Sequence, residues 1–142
     1  MEAWKALLET QRALLDRLGD ELRDEHGLPL NWYDVLVQLG RAPGRRLRMN
    51  ELAAAVLLTP SGLTRLVDRL ERADLVRRER CPTDRRAAEV VLTDEGRERL
   101  RGASPTHLRG IERHFAQHLS DDEAETLRSA FRKILRALQE EA

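Results

Sequence analysis

At 142 residues the chain is long enough for one domain with a real core, and 41% hydrophobic, 4% aromatic and 35% charged residues suit leucine- and alanine-packed helices rather than a β-sandwich. No apolar run approaches the ~20 residues of a membrane span, the acidic, amphipathic start MEAWKALLETQ does not read as a signal peptide, and one cysteine, Cys81, excludes an internal disulfide framework. The formal net charge is zero, yet residues 41–86 hold 12 arginines against 6 acids, a local net of +6 that the acidic flanks cancel. That asymmetry is expected when one segment meets phosphate and the rest does not. A cytoplasmic protein with a nucleic-acid partner is the expectation.

In chain order, residues 2–25 predict an amphipathic helix. Trp4, Leu8, Gln11, Leu15, Leu18 and Leu22 step by four and three, Leu7 and Leu14 widen the stripe, and Gly27 is placed to end it. A seam this long so early in the chain suggests a partner helix from another copy. Asn31 is expected to cap a second helix over residues 32–40 with Trp32, Val35, Leu36 and Leu39 inward, and GRAPG at 40–44 breaks it. Residues 47–49 are long enough for a one-rung strand.

Residues 51–70, ELAAAVLLTPSGLTRLVDRL, predict two short helices across a tight turn. Leu52, Ala53 and Val56 recur at helical spacing in the first. Thr59 is a suitable N-cap for the second, and Pro60 fits the first helical position, where a missing N–H costs nothing. Leu63, Leu66, Val67 and Leu70 mark its buried face; Ser61, Thr64, Arg65, Asp68 and Arg69 fall opposite. Small hydroxyls and arginines on an outward face suit a helix in a DNA major groove, where arginine grips guanine or phosphate. Asp68 is expected to orient a neighbouring arginine.

Residues 75–81 (LVRRERC) and 88–93 (AEVVLT) read as strands joined by a loop that holds Asp84, Arg85 and Arg86. With Arg77, Arg78 and Arg80 along it, this is a basic β-ribbon beside a helix-turn-helix, the arrangement of a winged helix. Thr93, Asp94 and Glu95 open a further helix expected to reach His118, with Leu100, Leu108, Ile111, Phe115 and Leu119 along one side and an interruption at Ala103-Ser104 ahead of Pro105. Residues 120–123 form a capping box for a last helix, apolar at Leu127, Phe131, Ile134, Leu135 and Leu138.

The order of elements, the helix pair LAAAVLLTPSGLTRLVDRLERADLVRR and the wing DRRAAEVVLTDEGRERL together resemble the MarR family of bacterial transcriptional regulators. The wing fits the family's D-x-R, five residues, Leu-Thr pattern at Asp84, Arg86, Leu92 and Thr93. Residues 30–100 carry the resemblance; the arms match by pattern only. It implies a mainly α fold with a small β-wing, in one domain over residues 1–142. The winged helix-turn-helix occupies 30–100, flanked by dimerisation helices at 2–25 and 106–140. It also implies a homodimer whose terminal helices interlock and whose recognition helices enter successive major grooves of a pseudo-palindromic operator, most simply as a ligand-responsive repressor. Leu57 departs from general helix-turn-helix motifs, which favour glycine there, although the family tolerates large residues.

Carried over by position, Ser61, Thr64, Arg65, Arg69, Arg85 and Arg86 are expected to meet DNA, with Asp84 organising the wing. Trp32, Tyr33 and Leu36 either line an effector pocket or pack in the core. His107, His114 and His118 fall on one side of a continuous helix, and His114 and His118 have the i, i+4 spacing of metal ligands. The acidic, histidine or cysteine partners that zinc-sensing relatives take from their first two helices are poorly matched here, so no metal is expected. The family's peroxide sensors carry their cysteine in the first helix; Cys81, on a wing strand, is read as passive. No glycine-rich phosphate loop or nucleophile–base pair is present, so neither catalysis nor a cofactor is expected. Two other readings use the same features: a winged-helix assembly module that never binds DNA, and a metal-sensing regulator.

Overall fold

Gly27 stops the first helix where the sequence places the stop. In the computed structural model, which describes residues 1–57, 62–84 and 87–142, α1 (Glu2–His26) ends with Gly27 at φ 60° and ψ 25°. Glycine takes this left-handed conformation without a Cβ clash, and its N–H reaches back 2.8 Å to the Arg23 carbonyl. The second helix, α2 (Leu30–Arg41), starts earlier than expected, with Pro29 and not Asn31 at the cap. The Tyr33 N–H closes the first turn onto the Pro29 carbonyl at 3.1 Å, and the fixed φ of proline presents that carbonyl without a side-chain cap.

There follow β1 (Arg46–Arg48), α3 (Met49–Ala55), α4 (Leu63–Arg72), β2 (Val76–Arg80), β3 (Ala88–Leu92), α5 (Asp94–His114) and α6 (Asp121–Glu140). The fold is mainly helical with a small β-wing: α3 and α4 form the helix-turn-helix, and β2 and β3 the wing. The three strands lie in the order β1-β3-β2, all antiparallel, with Leu47 opposite Val90 and Arg78 opposite Val90 on its other side. The short strand anticipated at 47–49 thus exists, shifted one residue towards the N-terminus.

The chain divides into two compact units, Met1–His107 and Leu108–Ala142. In the first, one apolar core joins Leu22 of α1, Leu36 of α2, Leu52 of α3, Leu70 of α4, Val76 of β2 and Val90 of β3. The first half of α1 stays outside it; Trp4 is 58% exposed and Leu8 45%.

Pro105 does not interrupt α5, which runs unbroken through Ala103-Ser104. Both sides of the proline are held. The Ser104 hydroxyl donates to the Leu100 carbonyl at 2.8 Å and accepts from the Tyr33 hydroxyl at 3.2 Å. The Thr106 hydroxyl donates to Glu25 at 2.7 Å, lies 2.7 Å from Nε2 of His26, and Ala103 is fully buried. The helix ends four residues early, at His114. Phe115, at φ −129° and ψ −68°, leaves helical geometry, and a 3₁₀ turn takes over at Ala116–His118.

In the second unit the capping box forms as expected. The Glu123 N–H reaches the Ser120 hydroxyl at 3.2 Å, and the Ser120 N–H donates to the Glu123 carboxylate at 2.9 Å. One stripe of α6, Phe131, Ile134, Leu135 and Leu138, is 39–58% exposed. Among the described residues no helix is long and apolar enough to cross a membrane.

Candidate nucleic-acid interface

The second helix of the pair splits its faces as its sequence requires. Leu63, Leu66, Val67 and Leu70 are buried, while Thr64, Arg65 and Arg69 are exposed, and neither arginine has an ion-pair partner among the described residues. An exposed guanidinium with no acid on it is available to a phosphate or a guanine edge. The described helix begins at Leu63, with Gly62 before it at φ 74°. The expected cap at Thr59-Pro60 and the candidate contact Ser61 lie outside the described residues, as do Arg85 and Arg86.

The ribbon is less basic than its sequence suggests. Arg78 is not presented to a ligand: its guanidinium lies 2.7 Å from Asp68 and 3.2 Å from Glu71, and donates to the Thr64 carbonyl at 3.2 Å. With the Arg78 N–H on Glu71 at 2.8 Å, the wing strand is tied to α4 at three positions, Thr64, Asp68 and Glu71. Asp68 therefore does orient an arginine, from β2. Glu79 and Glu89 stand directly opposite each other across β2 and β3, a like-charge pairing that costs stability unless compensated. Arg46 of β1 compensates it, with Nη2 3.1 Å from Glu79 and Nη1 3.0 Å from Glu89. Arg77 adds a 2.6 Å bond from Nε, which with Arg46 holds the Glu79 carboxyl below its usual range.

At the wing base, the Cys81 N–H and the Ala87 carbonyl are 3.0 Å apart, and the Ala87 N–H donates to the Asp84 carbonyl at 3.1 Å. Cys81 is buried. The Thr83 hydroxyl at 3.3 Å chiefly lowers its thiol pKa, with backbone N–H groups of Thr83 and Asp84 and the charge of Arg48 adding to the effect. Arg48 reaches across from β1, 3.5 Å from the sulfur and 3.4 Å from the Thr83 hydroxyl.

The junction after α3 explains Leu57. The described non-glycine residues at positive φ are Arg45 and Asp74, so position 57 needs no glycine, and its side chain, 82% exposed, meets no steric limit. Its N–H turns inward and donates to the buried carboxylate of Asp34 at 2.9 Å. Sequence reasoning missed this acid. The signal was the lone acid of α2, next to the core positions Val35 and Leu36.

Of the candidate pocket residues, Leu36 is fully buried in the core, Tyr33 is buried and Trp32 is half-buried against the core. The Tyr33 ring lies 4.7 Å from that of His107, tilted by 51°. His107 Nδ1 is buried without a hydrogen-bond partner among the described residues. Burial pushes the His107 pKa below its ordinary 6.5, only partly offset by Asp34 and Glu21. The unfolded chain therefore takes up a proton more readily than the folded one. Stability should be fullest above about pH 6.5, fall as pH drops below it, and level off below the folded pKa. Urea melts between pH 7.5 and 5.5 should show this loss in the wild type and a shallower one in His107→Gln; equal slopes would sever the link to His107.

The histidine pair is not on one helix. His114 is the last residue of α5 and His118 lies in the 3₁₀ turn beyond Phe115, so the helical spacing that suggested metal ligation does not hold. Among the described residues no group of three or more histidine, cysteine or acidic side chains could hold a metal ion.

A sequence model of the MarR family matches residues 26–87. The chain is 30% identical over 123 residues to the HTH-type transcriptional regulator PecS of Dickeya dadantii, covering 85% of this chain and 73% of that protein. Among solved structures it is similar to AbsC of Streptomyces coelicolor, a MarR family transcriptional regulator, at 38% identity and a TM-score of 0.89 over 96% of this chain and 92% of the other. It is also similar to Sco3205 of the same organism, a MarR family regulator solved in complex with DNA, at 37% identity and a TM-score of 0.88 over 96% and 88%. With its helix pair, arginine-bearing second helix and adjoining wing, the chain belongs to the MarR family of DNA-binding, winged helix-turn-helix transcriptional regulators.

Proposed function

We propose that the protein is a homodimeric repressor that binds a pseudo-palindromic operator and releases it when a small-molecule effector binds. The observation that carries this is the face of α4. Thr64, Arg65 and Arg69 remain exposed there while Arg46, Arg77 and Arg78 nearby are occupied by acids. Thr64, Arg65, Arg69 and Ser61 are assigned to the major groove. Arg85 and Arg86, between Asp84 and Ala87 in the sequence, are assigned to the adjoining minor groove, with Asp84 organising the turn. The whole of residues 1–142 acts as one regulator, in the cytoplasm with the DNA it reads.

The dimer is proposed from apolar surface the single chain leaves in water. Trp4, Leu7 and Leu8 of α1 and, separately, Phe131, Ile134, Leu135 and Leu138 of α6 are between 37% and 58% exposed. Fully burying an exposed side chain of this kind stabilises by about 1.5–3 kcal/mol, so covering the exposed half of each contributes roughly 1 kcal/mol, and stripes of this kind mark interfaces. Residues 2–25 and 106–140 supply it. The surroundings of Trp32, Tyr33 and Leu36 are the proposed effector region.

A two-fold dimer with one recognition helix per protomer needs half-sites roughly 10 base pairs apart, centre to centre. Footprinting on the DNA flanking the protein's own gene should protect two inverted half-sites at that spacing. Protection of a single half-site, or of direct repeats, contradicts the two-fold reading.

A further inference from the structure

We infer that Asp34 is a positioning residue for DNA binding: its buried carboxylate holds the exit of α3 and thereby sets where the connector to α4 begins. Asp34 is 8% exposed and sits on α2, an element assigned no contact with DNA. Its Oδ2 accepts the Leu57 N–H at 2.9 Å, and its Oδ1 lies 3.5 Å from Nε2 of Gln38. Leu57 is the second residue past the end of α3, whose own last bond runs from the Val56 N–H to the Leu52 carbonyl.

The packing shows why the acid is needed. Val56 is buried and Leu57 is 82% exposed, so the chain turns from core to solvent across one peptide, and the N–H of that peptide is left beyond the helix ladder. That N–H is part-buried against α2 and is satisfied there by an acceptor within the fold. A carboxylate supplies a charge-assisted one, stronger than a neutral carbonyl. The same α2 segment is anchored on its other side by Tyr33, through Ser104 and His107 of α5. The helix that carries the acceptor is therefore held in place by contacts of its own.

The inference rests on the DNA-binding assignment of α4. The test uses full-length wild type, Asp34→Ala and Asp34→Asn, with two readouts: affinity for a duplex the wild type binds, and NMR hydrogen exchange of the Leu57 amide. Asp34→Ala should speed exchange at Leu57 at least tenfold, with Leu66 and Val67 of α4 still protected, and should weaken DNA binding at least tenfold. Asp34→Asn keeps an acceptor oxygen and should stay within about threefold of wild type on both. Wild-type affinity in Asp34→Ala with Leu57 exposed overturns the inference, as does lost affinity with Leu57 still protected. If Asp34→Ala does not fold, Asp34→Asn decides: a folded Asn variant that keeps Leu57 protected yet binds tenfold worse overturns it, and near-wild-type binding supports it. Failure of the wild type to bind any duplex overturns both the DNA-binding assignment and this inference, whereas Leu57 exchange in the same variants still shows whether the clamp exists.

Discussion

Gly96→Ala is expected to destabilise the protein by about 3 kcal/mol, the upper end of what overpacking costs. Gly96 is buried in the first turn of α5, where a Cβ would run into the Leu75 carbonyl oxygen and stand 2.7 Å from Cδ1 of Leu92. The leucine methyl can yield; the carbonyl cannot, because the Thr93 N–H holds it at 3.1 Å. Thr93 is fixed in turn, its hydroxyl donating to the Asp74 carbonyl at 2.6 Å and accepting the Gly96 N–H at 3.0 Å. Alanine's helix propensity recovers only about 1 kcal/mol over glycine. Gly102→Ala is the control: it lies in the same helix with open space around it and should gain about that amount. Urea unfolding at one protein concentration compares the two, and equal stabilities would mean that the joint between wing and α5 is looser than described.

Arg65→Ala is the second large effect, expected on DNA affinity and not on the fold. Arg65 is exposed and unpaired among the described residues, so its removal should leave the melting curve nearly unchanged. If it reads a base edge, it contributes about 1–3 kcal/mol of discrimination, and the alanine variant should relax preference at one position in each half-site. Arg86→Ala should instead weaken all sequences alike and flatten the salt dependence by roughly one counterion per protomer. Binding measured against a panel of single-base operator variants separates them. A uniform loss in both variants excludes direct readout by Arg65. No loss in either puts the DNA-binding surface elsewhere.

The fold was legible wherever burial is periodic. Leu63, Leu66, Val67 and Leu70, the wing strands and the Ser120 capping box all follow from spacing and end-residue chemistry. The partners of charged residues were not legible, because they are chosen by how helix and strands pack and not by spacing along the chain. Arg77 and Arg78 read as part of a basic ribbon, but Arg77 bonds Glu79 of its own strand, and packing of β2 on α4 sets Arg78 against Asp68 and Glu71. Nor does sequence show that Glu79 and Glu89 meet and so require Arg46. Pro105 misled for a related reason: proline's local preference is overridden by Tyr33, Glu25 and His26, which hold the helix on either side. The histidine pair failed because Phe115 ends the helix that its spacing assumed.

The most direct measurement is the salt dependence of wild-type affinity for duplex DNA taken from beside its own gene. If Arg65, Arg69 and one wing arginine in each of two protomers meet phosphate or groove, on the order of six contacts form. The logarithm of affinity should then fall with the logarithm of salt concentration at a slope of about −5. A slope near zero, or no binding even at low salt, would contradict the assignment of this basic lobe to DNA.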